Sequence, residues 1–436
     1  MRCRPVSCRP ALVLALATCA TTLLTAAPAT AGGATAAPAA TAQGLFAPVA
    51  TFEVGGDVAE ILAATPDGRT VLYTDSSQQR LGLVDLSRPA QPRQLATIAM
   101  GGEPTSVAVT AGGTLALVAV DTTDGDFRHP SGHLAVVDLV QRRVRSRIDL
   151  GGQPDSISIS PDGEVAAVAV ENQRDEERVV DGVEGGLPQL PAGYLSVVDL
   201  TGPVGGWQAE RVSLTGLPGA RYARDPEPEF VDVDDRHRAA VTLQENNAVA
   251  VVDLDALRVT SSFSAGTVHR HNVDLTDDGV VSFDEDLDAP REPDAVRWTP
   301  SGHLVTADEG DLAETPSGGR GWSVFSPAGD LLYEARSAEH ALARAGLYDD
   351  GRSDSKGAEL EGAEVAAYGG RDHVFIGSER ADAVLVYALE DDRHPRLLQV
   401  LATGDEPEGI LALPGRGLLL TGNEGDGTIS VFRRQG

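Results

Sequence analysis

One sequence motif recurs along the chain and constrains its fold more than any other feature. It consists of an acidic residue (once Gln), usually a Pro, and a run of alternating apolar residues. The clear copies begin at Glu103, Gln153, Glu227, Glu292 and Glu406, and two degenerate copies begin at Asp57 and Glu359. Such periodic self-similarity predicts one structural unit that is repeated seven times.

Each copy continues with a tight turn such as Pro161-Asp162-Gly163, and then with a second apolar run that ends near an acid or Asn. A third run often reads like Ala250-Val251-Val252-Asp253-Leu254. Short alternating strands, frequent Gly turns and the lack of a strong helical period predict an all-β fold, a seven-bladed propeller of four-stranded antiparallel blades.

The two ends of the chain predict how this propeller closes. The last repeat stops at its third strand, Thr428 to Phe432, and an unassigned strand pattern runs from Val49 to Val54. We expect this N-terminal strand to complete the last blade, because pairing the two ends hides sheet edges that would otherwise promote aggregation.

The first residues have the pattern of a secretory signal peptide: basic residues, an apolar stretch and Ala29-Thr30-Ala31 as a cleavage pattern. The predicted organisation is a signal peptide over 1–31, a disordered Ala/Thr/Pro-rich tether over 32–44 and one propeller domain over 45–436. The three cysteines all precede the cleavage pattern, so we expect a secreted protein without disulfides. Lipidation at Cys19 is the alternative.

The net charge of −30 excludes two classes of partner. Nucleic acids and anionic membranes would be repelled, whereas cations and basic ligands would be attracted. Beyond the leader, no segment is long and apolar enough to span a membrane. We therefore expect a monomer that binds a small-molecule or protein ligand on an acidic face.

Two sets of acids recur with the repeat and predict that face. One precedes the inner strands and the other ends the second strands, and the loops at both positions lie on one face of a propeller. The first set is Asp57, Glu103, Glu227, Glu292, Glu359 and Glu406, and the second is Asp75, Asp121, Glu171, Glu245, Glu309, Glu379 and Glu424. They predict either a cation-binding rim or carboxylates that only cap backbone N–H groups.

The segment from Asp274 to Glu285 has the spacing of a twelve-residue calcium loop. A sharp-turn glycine, Gly279, stands at position six. The predicted Ca²⁺ ligands are Asp274, Thr276, Asp278, the Val280 carbonyl, Ser282 and Glu285. Thr276 departs from the usual Asp or Asn, and flanking helices are not apparent. The alternative interpretation is an acidic, solvated turn.

Several of these segments together resemble the choice-of-anchor I family. They are Glu227-Pro228-Glu229-Phe230, Glu292-Pro293-Asp294-Ala295, Ser353-Asp354-Ser355-Lys356-Gly357 and Glu406-Pro407-Glu408-Gly409. The resemblance implies a secreted or surface propeller, distantly similar to YVTN-type and esterase-like phytase propellers. Members often carry a C-terminal anchor, whereas this sequence stops at Gly436, so we expect release from the cell.

Motifs for enzymatic chemistry are sparse, because the sequence has no Gly-x-Ser-x-Gly, His-Glu-x-x-His or P-loop pattern. The first hypothesis is a binding or scaffold propeller stabilised by calcium. The alternatives are a calcium-dependent phosphoesterase and a metal-dependent lactone or ester hydrolase. A phosphoesterase needs basic groups near the metal, and Lys356, Arg291, Arg352 and Arg380 are the candidates.

Overall fold

Short runs of Val, Ala, Leu and Ile with Gly-rich turns between them form the strands of this protein, and the β-branched residues among them favour this conformation. A computed structural model describes residues 45–56, 58–175, 177–310 and 316–436. The predicted signal peptide, the predicted tether and Asp57 lie outside the described residues. Those residues form seven four-stranded antiparallel sheets, which confirms the predicted propeller.

The strands of each blade follow one another from the inside of the propeller to its outside. Blade 1 contains Leu62–Ala64, Thr70–Asp75, Arg80–Asp85 and Arg93–Ala99; blade 2 contains Glu103–Val109, Leu115–Asp121, Gly132–Asp138 and Arg143–Asp149; blade 3 contains Pro154–Ile159, Val165–Val170, Tyr194–Asp199 and Ala209–Ser213; blade 4 contains Val231–Val233, Arg238–Leu243, Ala248–Asp253 and Arg258–Ser264; blade 5 contains Val296–Trp298, Leu304–Asp308, Gly321–Phe325 and Leu331–Glu334; blade 6 contains Ala363–Tyr368, Arg371–Ser378, Ala383–Ala388 and Arg396–Ala402; blade 7 contains Pro407–Leu413, Leu418–Asn423, Thr428–Arg434 and Phe46–Glu53.

The outer strand of blade 7 comes from the N-terminal end of the propeller, as the sequence predicts. Phe46–Glu53 pairs with Thr428–Arg434, and Glu53 stands opposite Thr428. This strand begins three residues earlier than predicted. The reason is Phe46, which is fully buried with its ring 5.1 Å from Tyr368 and 5.6 Å from Phe375 of blade 6.

Hydroxyl groups join the inner strands, which belong to different sheets. The Ser106 hydroxyl of blade 2 accepts a hydrogen bond from the Ile157 backbone N–H of blade 3 at 3.2 Å. The Ser156 hydroxyl accepts one from the Val231 N–H of blade 4 at 3.3 Å. These contacts fix the inner strands against each other around the channel, so the side chains that face it are held in register.

Three insertions extend from this scaffold. Blade 3 carries a two-stranded hairpin, Val179–Val180 with Val183–Glu184, and a second hairpin, Thr267–Val273 with Glu285–Pro290, joins blades 4 and 5. Between blades 5 and 6 lies the α-helix Ala338–Ala345, which the repeat pattern does not predict. The short 3₁₀ helices among the described residues are Val204–Gly206, Asp350–Arg352 and Pro414–Arg416. None of the helices among the described residues has the length and apolarity that a membrane crossing requires.

The closing strand gives the first testable prediction. Deleting residues 1–53 should lower the melting temperature sharply, since blade 7 loses a strand and Phe46 leaves a buried aromatic cluster. Loss of one such buried ring costs about 3 to 5 kcal/mol. Thermal unfolding followed by circular dichroism checks this. Deletion of residues 1–43 is the control and should leave the transition unchanged; equal melting temperatures for the two deletions would contradict the closure.

Candidate metal centre

A ring of acidic side chains lies inside the channel, at or just before the start of each inner strand. It comprises Glu60, Asp155, Glu229, Asp294, Glu361 and Glu408 from blades 1, 3, 4, 5, 6 and 7, and Thr105 holds the equivalent position in blade 2. All except Glu60 line one narrow cavity of about 110 Å³. We call these side chains the channel ring.

Most carboxylates of the channel ring have no hydrogen-bond donor. Within the part of the chain that the structure describes, no group donates a hydrogen bond to the side chain of Asp155, Glu229, Asp294, Glu361 or Glu408. One oxygen of Glu408 is also fully shielded from solvent. Glu60 differs, because the hydroxyl groups of Ser76 and Thr74 donate to it. Half-buried carboxylates that face one another without donors favour their neutral form or a bound cation.

The proximity of these acids raises their pKa values. Burial, followed by repulsion from Glu245 and Glu60, raises the pKa of Asp155 to about 7. Burial also raises the pKa of Glu60 to about 7, against the hydrogen bond from Ser76. For Glu229, burial and then the charge of Glu171 place the pKa well above its ordinary value. At neutral pH the channel ring is therefore only partly ionised unless a cation enters.

Two groups of three acids in the channel have the same construction. Each contains the ring residue of one blade, the residue that directly follows the second strand of that blade, and the ring residue of the next blade. The first group, triad 3–4, is Asp155, Glu171 and Glu229, and the second, triad 5–6, is Asp294, Glu309 and Glu361. In each triad, one oxygen from every residue lies within 4.8 Å of the other two. Such all-oxygen clusters are the donor sets that Ca²⁺ prefers.

The two triads differ in the hydrogen bonds and ion pairs that their central residue receives. Glu309 of triad 5–6 accepts a hydrogen bond from the Gln244 amide at 2.7 Å and forms an ion pair with Lys356. Glu171 of triad 3–4 is only 8% exposed, yet no described residue donates a hydrogen bond or an ion pair to it. Burial and then the charge of Asp155 raise its pKa well above the ordinary range.

A larger cavity of about 850 Å³ opens above the triads. Its walls include Glu171, Glu227 and Glu229 together with three basic residues, Arg174, Arg221 and Lys356. All three basic side chains are engaged with acids. Arg174 lies 2.6 Å from Glu227 and 3.5 Å from Asp225, and Arg221 lies 3.1 Å from Glu292.

The acids predicted for the rim lie in several different environments. Glu227, Glu292 and Glu359 are buried and pair with arginines, Glu406 pairs with Arg380, and Glu103 is exposed. Of the second set, Glu245 and Glu309 line the large cavity, Glu424 is exposed, and Asp75 and Asp121 cap backbone N–H groups of Gln78 and Thr123.

Four acids of the channel ring lie two residues beyond an acid of the first predicted set. In three of these pairs the rim acid has a positive φ, +47° at Glu292, +46° at Glu359 and +55° at Glu406, so the chain turns there and the second acid lines the narrow cavity. The signal was present in the sequence, since Glu229, Asp294, Glu361 and Glu408 each follow a rim acid at this spacing.

The predicted calcium loop lies on the hairpin between blades 4 and 5. Asp274 is fully buried and accepts hydrogen bonds from the N–H groups of Ser282 at 2.8 Å and Thr276 at 3.4 Å. Glu285 accepts one from the Leu275 N–H at 3.2 Å. No three acids of this loop occur among the clustered carboxylates of the described chain. Val280 is exposed. Calcium binding by this loop stays a prediction.

The basic residues predicted to contact an anion are also paired with acids. Arg291 pairs with Glu334 at 2.5 Å, Arg352 with Glu359 at 2.6 Å, and Arg380 with Glu379 at 2.9 Å. Lys356 pairs with Glu309 of triad 5–6. The positive charge of each of these residues is therefore already paired with a carboxylate of the protein.

Fold and site together define a seven-bladed β-propeller with a carboxylate-lined channel. A sequence profile of the choice-of-anchor I domain matches residues 60–317 and 315–392, and the chain belongs to this family. No curated protein matches the sequence significantly.

Two solved structures share the propeller fold. The first is Kuenenia stuttgartiensis hydrazine synthase, with 16% identity, a TM-score of 0.57, and coverage of 87% of this chain and 97% of the other. The second is U3-55K, with 11% identity, a TM-score of 0.58, and coverage of 89% and 100%. At these identities the similarity shows the fold alone.

The raised pKa values predict a pH dependence of stability. In EDTA, the free energy of unfolding should fall as the pH rises from about 4 to about 7, because the folded chain holds protons that the unfolded chain has released. Asp155 contributes over the window from its ordinary 3.8 to about 7, and it faces Glu60, Asp121 and Glu245. Urea unfolding at several pH values measures the slope. Asp155→Asn should flatten it, and an unchanged slope in this variant would contradict the assignment.

Proposed function

We propose that this protein is a secreted binding or scaffold propeller that holds a calcium ion in triad 3–4, at the base of the large cavity. The observation that carries the proposal is Glu171. Its carboxylate is nine-tenths buried, receives no hydrogen bond from any described residue and lies within 4.8 Å of the Asp155 and Glu229 oxygens. A bound cation would remove the cost of burying these three charges together.

The chemistry of the triad supports calcium over metals that prefer nitrogen or sulfur ligands. All three side chains offer carboxylate oxygen, and neither His nor Cys belongs to the triad. Hard oxygen donors suit Ca²⁺, Mg²⁺ and Mn²⁺, and Ca²⁺ tolerates irregular geometry with six to eight ligands. Extracellular modules bind calcium with dissociation constants of about 10⁻⁴ to 10⁻³ M, which suits the secreted location that the leader and the family indicate.

The cavity above the ion supplies the ligand site in this proposal. It has about 850 Å³, the size of a small-molecule site. A ligand with hydroxyl or carboxylate oxygens could complete the calcium coordination from above, with Tyr222 and Arg221 among the wall residues that it would meet. The protein would then bind this ligand only when calcium is present.

The pairing of the basic residues supports binding over phosphoester hydrolysis. A phosphoesterase needs cationic groups that are free to hold the substrate anion beside the metal. Arg174 and Lys356, which line the cavity, are both paired with carboxylates. We therefore expect no hydrolysis of p-nitrophenyl phosphate with calcium or with EDTA. Calcium-dependent turnover that Glu171→Gln abolishes would assign the alternative function.

The calcium site is tested by thermal unfolding of Glu171→Gln. Calcium at a hundredfold excess over its dissociation constant should stabilise the wild type by about 2.7 kcal/mol, because it binds only the folded state. Glu171→Gln should lose most of this gain, since it removes the charge at the centre of the triad. The matched control is Glu210→Gln, an exposed glutamate on the outer strand of the same blade.

A third variant separates triad 3–4 from the loop predicted from the sequence. Glu285→Gln removes the twelfth ligand of that loop and should keep the calcium response if the ion binds in the channel. A response lost in Glu285→Gln and kept in Glu171→Gln would instead assign calcium to the loop and overturn the proposal. An unaltered response in both variants would also overturn it.

A further inference from the structure

One carboxylate of triad 5–6, Glu309, is paired with a cation of the protein itself, Lys356. Lys356 is the single lysine of a chain that has 34 arginines. Its ammonium group contacts Glu309 directly and lies 3.4 Å from Glu359. The lysine side chain is 11% exposed, and those of Glu309 and Glu359 are 9% and 1% exposed. The ion pair is therefore held inside the channel wall.

This ammonium group contacts Glu309, the residue that two clusters of acids share. Glu309 belongs to triad 5–6 and also to a second cluster with Glu359 and Glu379, whose oxygens lie within 4.8 Å of one another. Burial works against the charge of Lys356, but Glu309 raises its pKa, so the ammonium form prevails. Burial and then the charges of Glu309 and Asp155 keep the pKa of Asp294 well above its ordinary value, and Lys356 offsets only part of this rise.

The loop that carries Lys356 is anchored from both sides. The buried Arg320 guanidinium donates to the carbonyl groups of Ser353 at 3.0 Å and Ser355 at 2.8 Å. Glu339 accepts the N–H of Ala358 at 3.2 Å. At Gly357 the backbone has φ +68°, and a Cβ would lie 2.1 Å from Arg320. These contacts fix the loop, so the Lys356 ammonium group is held beside Glu309.

A lysine suits this position better than an arginine does. Its ammonium is a compact point charge with three donors, whereas a guanidinium is a planar fork that spreads its charge over a larger area. Like the charge of a bound metal ion, the charge of the Lys356 ammonium group is concentrated close to two carboxylates, those of Glu309 and Glu359.

We propose that Lys356 is a tethered cation that neutralises Glu309 and thereby keeps a metal ion out of triad 5–6, so that triad 5–6 is a latent calcium site and the channel binds calcium in triad 3–4 alone. The inference rests on the proposed function for the identity of the ion. It predicts that removal of the lysine charge opens a second site, with Asp294, Glu309 and Glu361 as its ligands.

The test counts calcium ions. Purified wild type, Lys356→Met and Lys356→Arg are dialysed at pH 8 against buffered calcium, and bound calcium is measured by elemental analysis. Lys356→Met should bind one ion more than the wild type, and Lys356→Arg should bind the same number as the wild type. Equal numbers for the wild type and folded Lys356→Met would overturn the proposal, as would an extra ion in Lys356→Arg.

The same variants in a Glu171→Gln background separate this inference from the proposed function. If both are correct, Glu171→Gln loses one ion and Glu171→Gln with Lys356→Met regains one. If Glu171→Gln loses none while Lys356→Met still gains one, the assignment to triad 3–4 fails and the latent site stands. If Glu171→Gln loses one and Lys356→Met gains none, the latent site fails alone.

Stability provides a second measurement if the lysine variant folds poorly. In EDTA, Lys356→Met should melt below the wild type, because Glu309 and Glu359 lose their counter-charge, and millimolar calcium should restore most of the difference. Adding Glu309→Gln to Lys356→Met removes a ligand and should abolish the extra ion. A Lys356→Met protein that stays unfolded in millimolar calcium would show that the metal ion cannot replace the ammonium group, which overturns the proposal.

Discussion

Electrostatic repulsion among carboxylates in a narrow channel is the constraint on which the rest of this structure depends. A closed propeller brings the equivalent position of every repeat around one axis, so one acidic position in the repeat becomes a ring. Six blades place Glu60, Asp155, Glu229, Asp294, Glu361 and Glu408 there. Burial and mutual repulsion raise the pKa of each of them.

The blades relieve this repulsion in different ways. Around blades 4 to 6, arginines pair with the rim acids Glu227, Glu292 and Glu359, and Lys356 pairs with Glu309 of triad 5–6. Blade 1 uses the Ser76 and Thr74 hydroxyl groups on Glu60. No described arginine, lysine or hydroxyl group pairs with Glu171 of triad 3–4, and for this reason we place the bound ion there. Among the acids that directly follow a second strand, Glu171 is buried without a described donor, whereas its counterpart Glu309 has two.

The sequence was sufficient for the architecture, because the signals for strands, turns and closure are local. The repeat predicted seven blades, and the strand pattern before Val54 predicted the closing pair with Thr428 to Phe432. The bounds of that strand were wrong by three residues, since the burial of Phe46 depends on Tyr368 and Phe375, which lie far away in the chain.

The site was less predictable, because it depends on register and on partners from other blades. The sequence placed Glu171 and Glu309 in one set of equivalent acids, and only the structure shows that Lys356 and Gln244 reach Glu309 while Glu171 has no such partner. The helix Ala338–Ala345 was missed since eight residues between repeats carry a weak periodic signal.

Anomalous diffraction from crystals of the protein grown with calcium tests the central claim most directly. The account predicts an anomalous peak between the carboxylate oxygens of Asp155, Glu171 and Glu229, at about 2.3 to 2.6 Å from them, and none beside Lys356. A channel without a peak in triad 3–4 at millimolar calcium, or with its peak in triad 5–6 next to an intact Lys356, would contradict it.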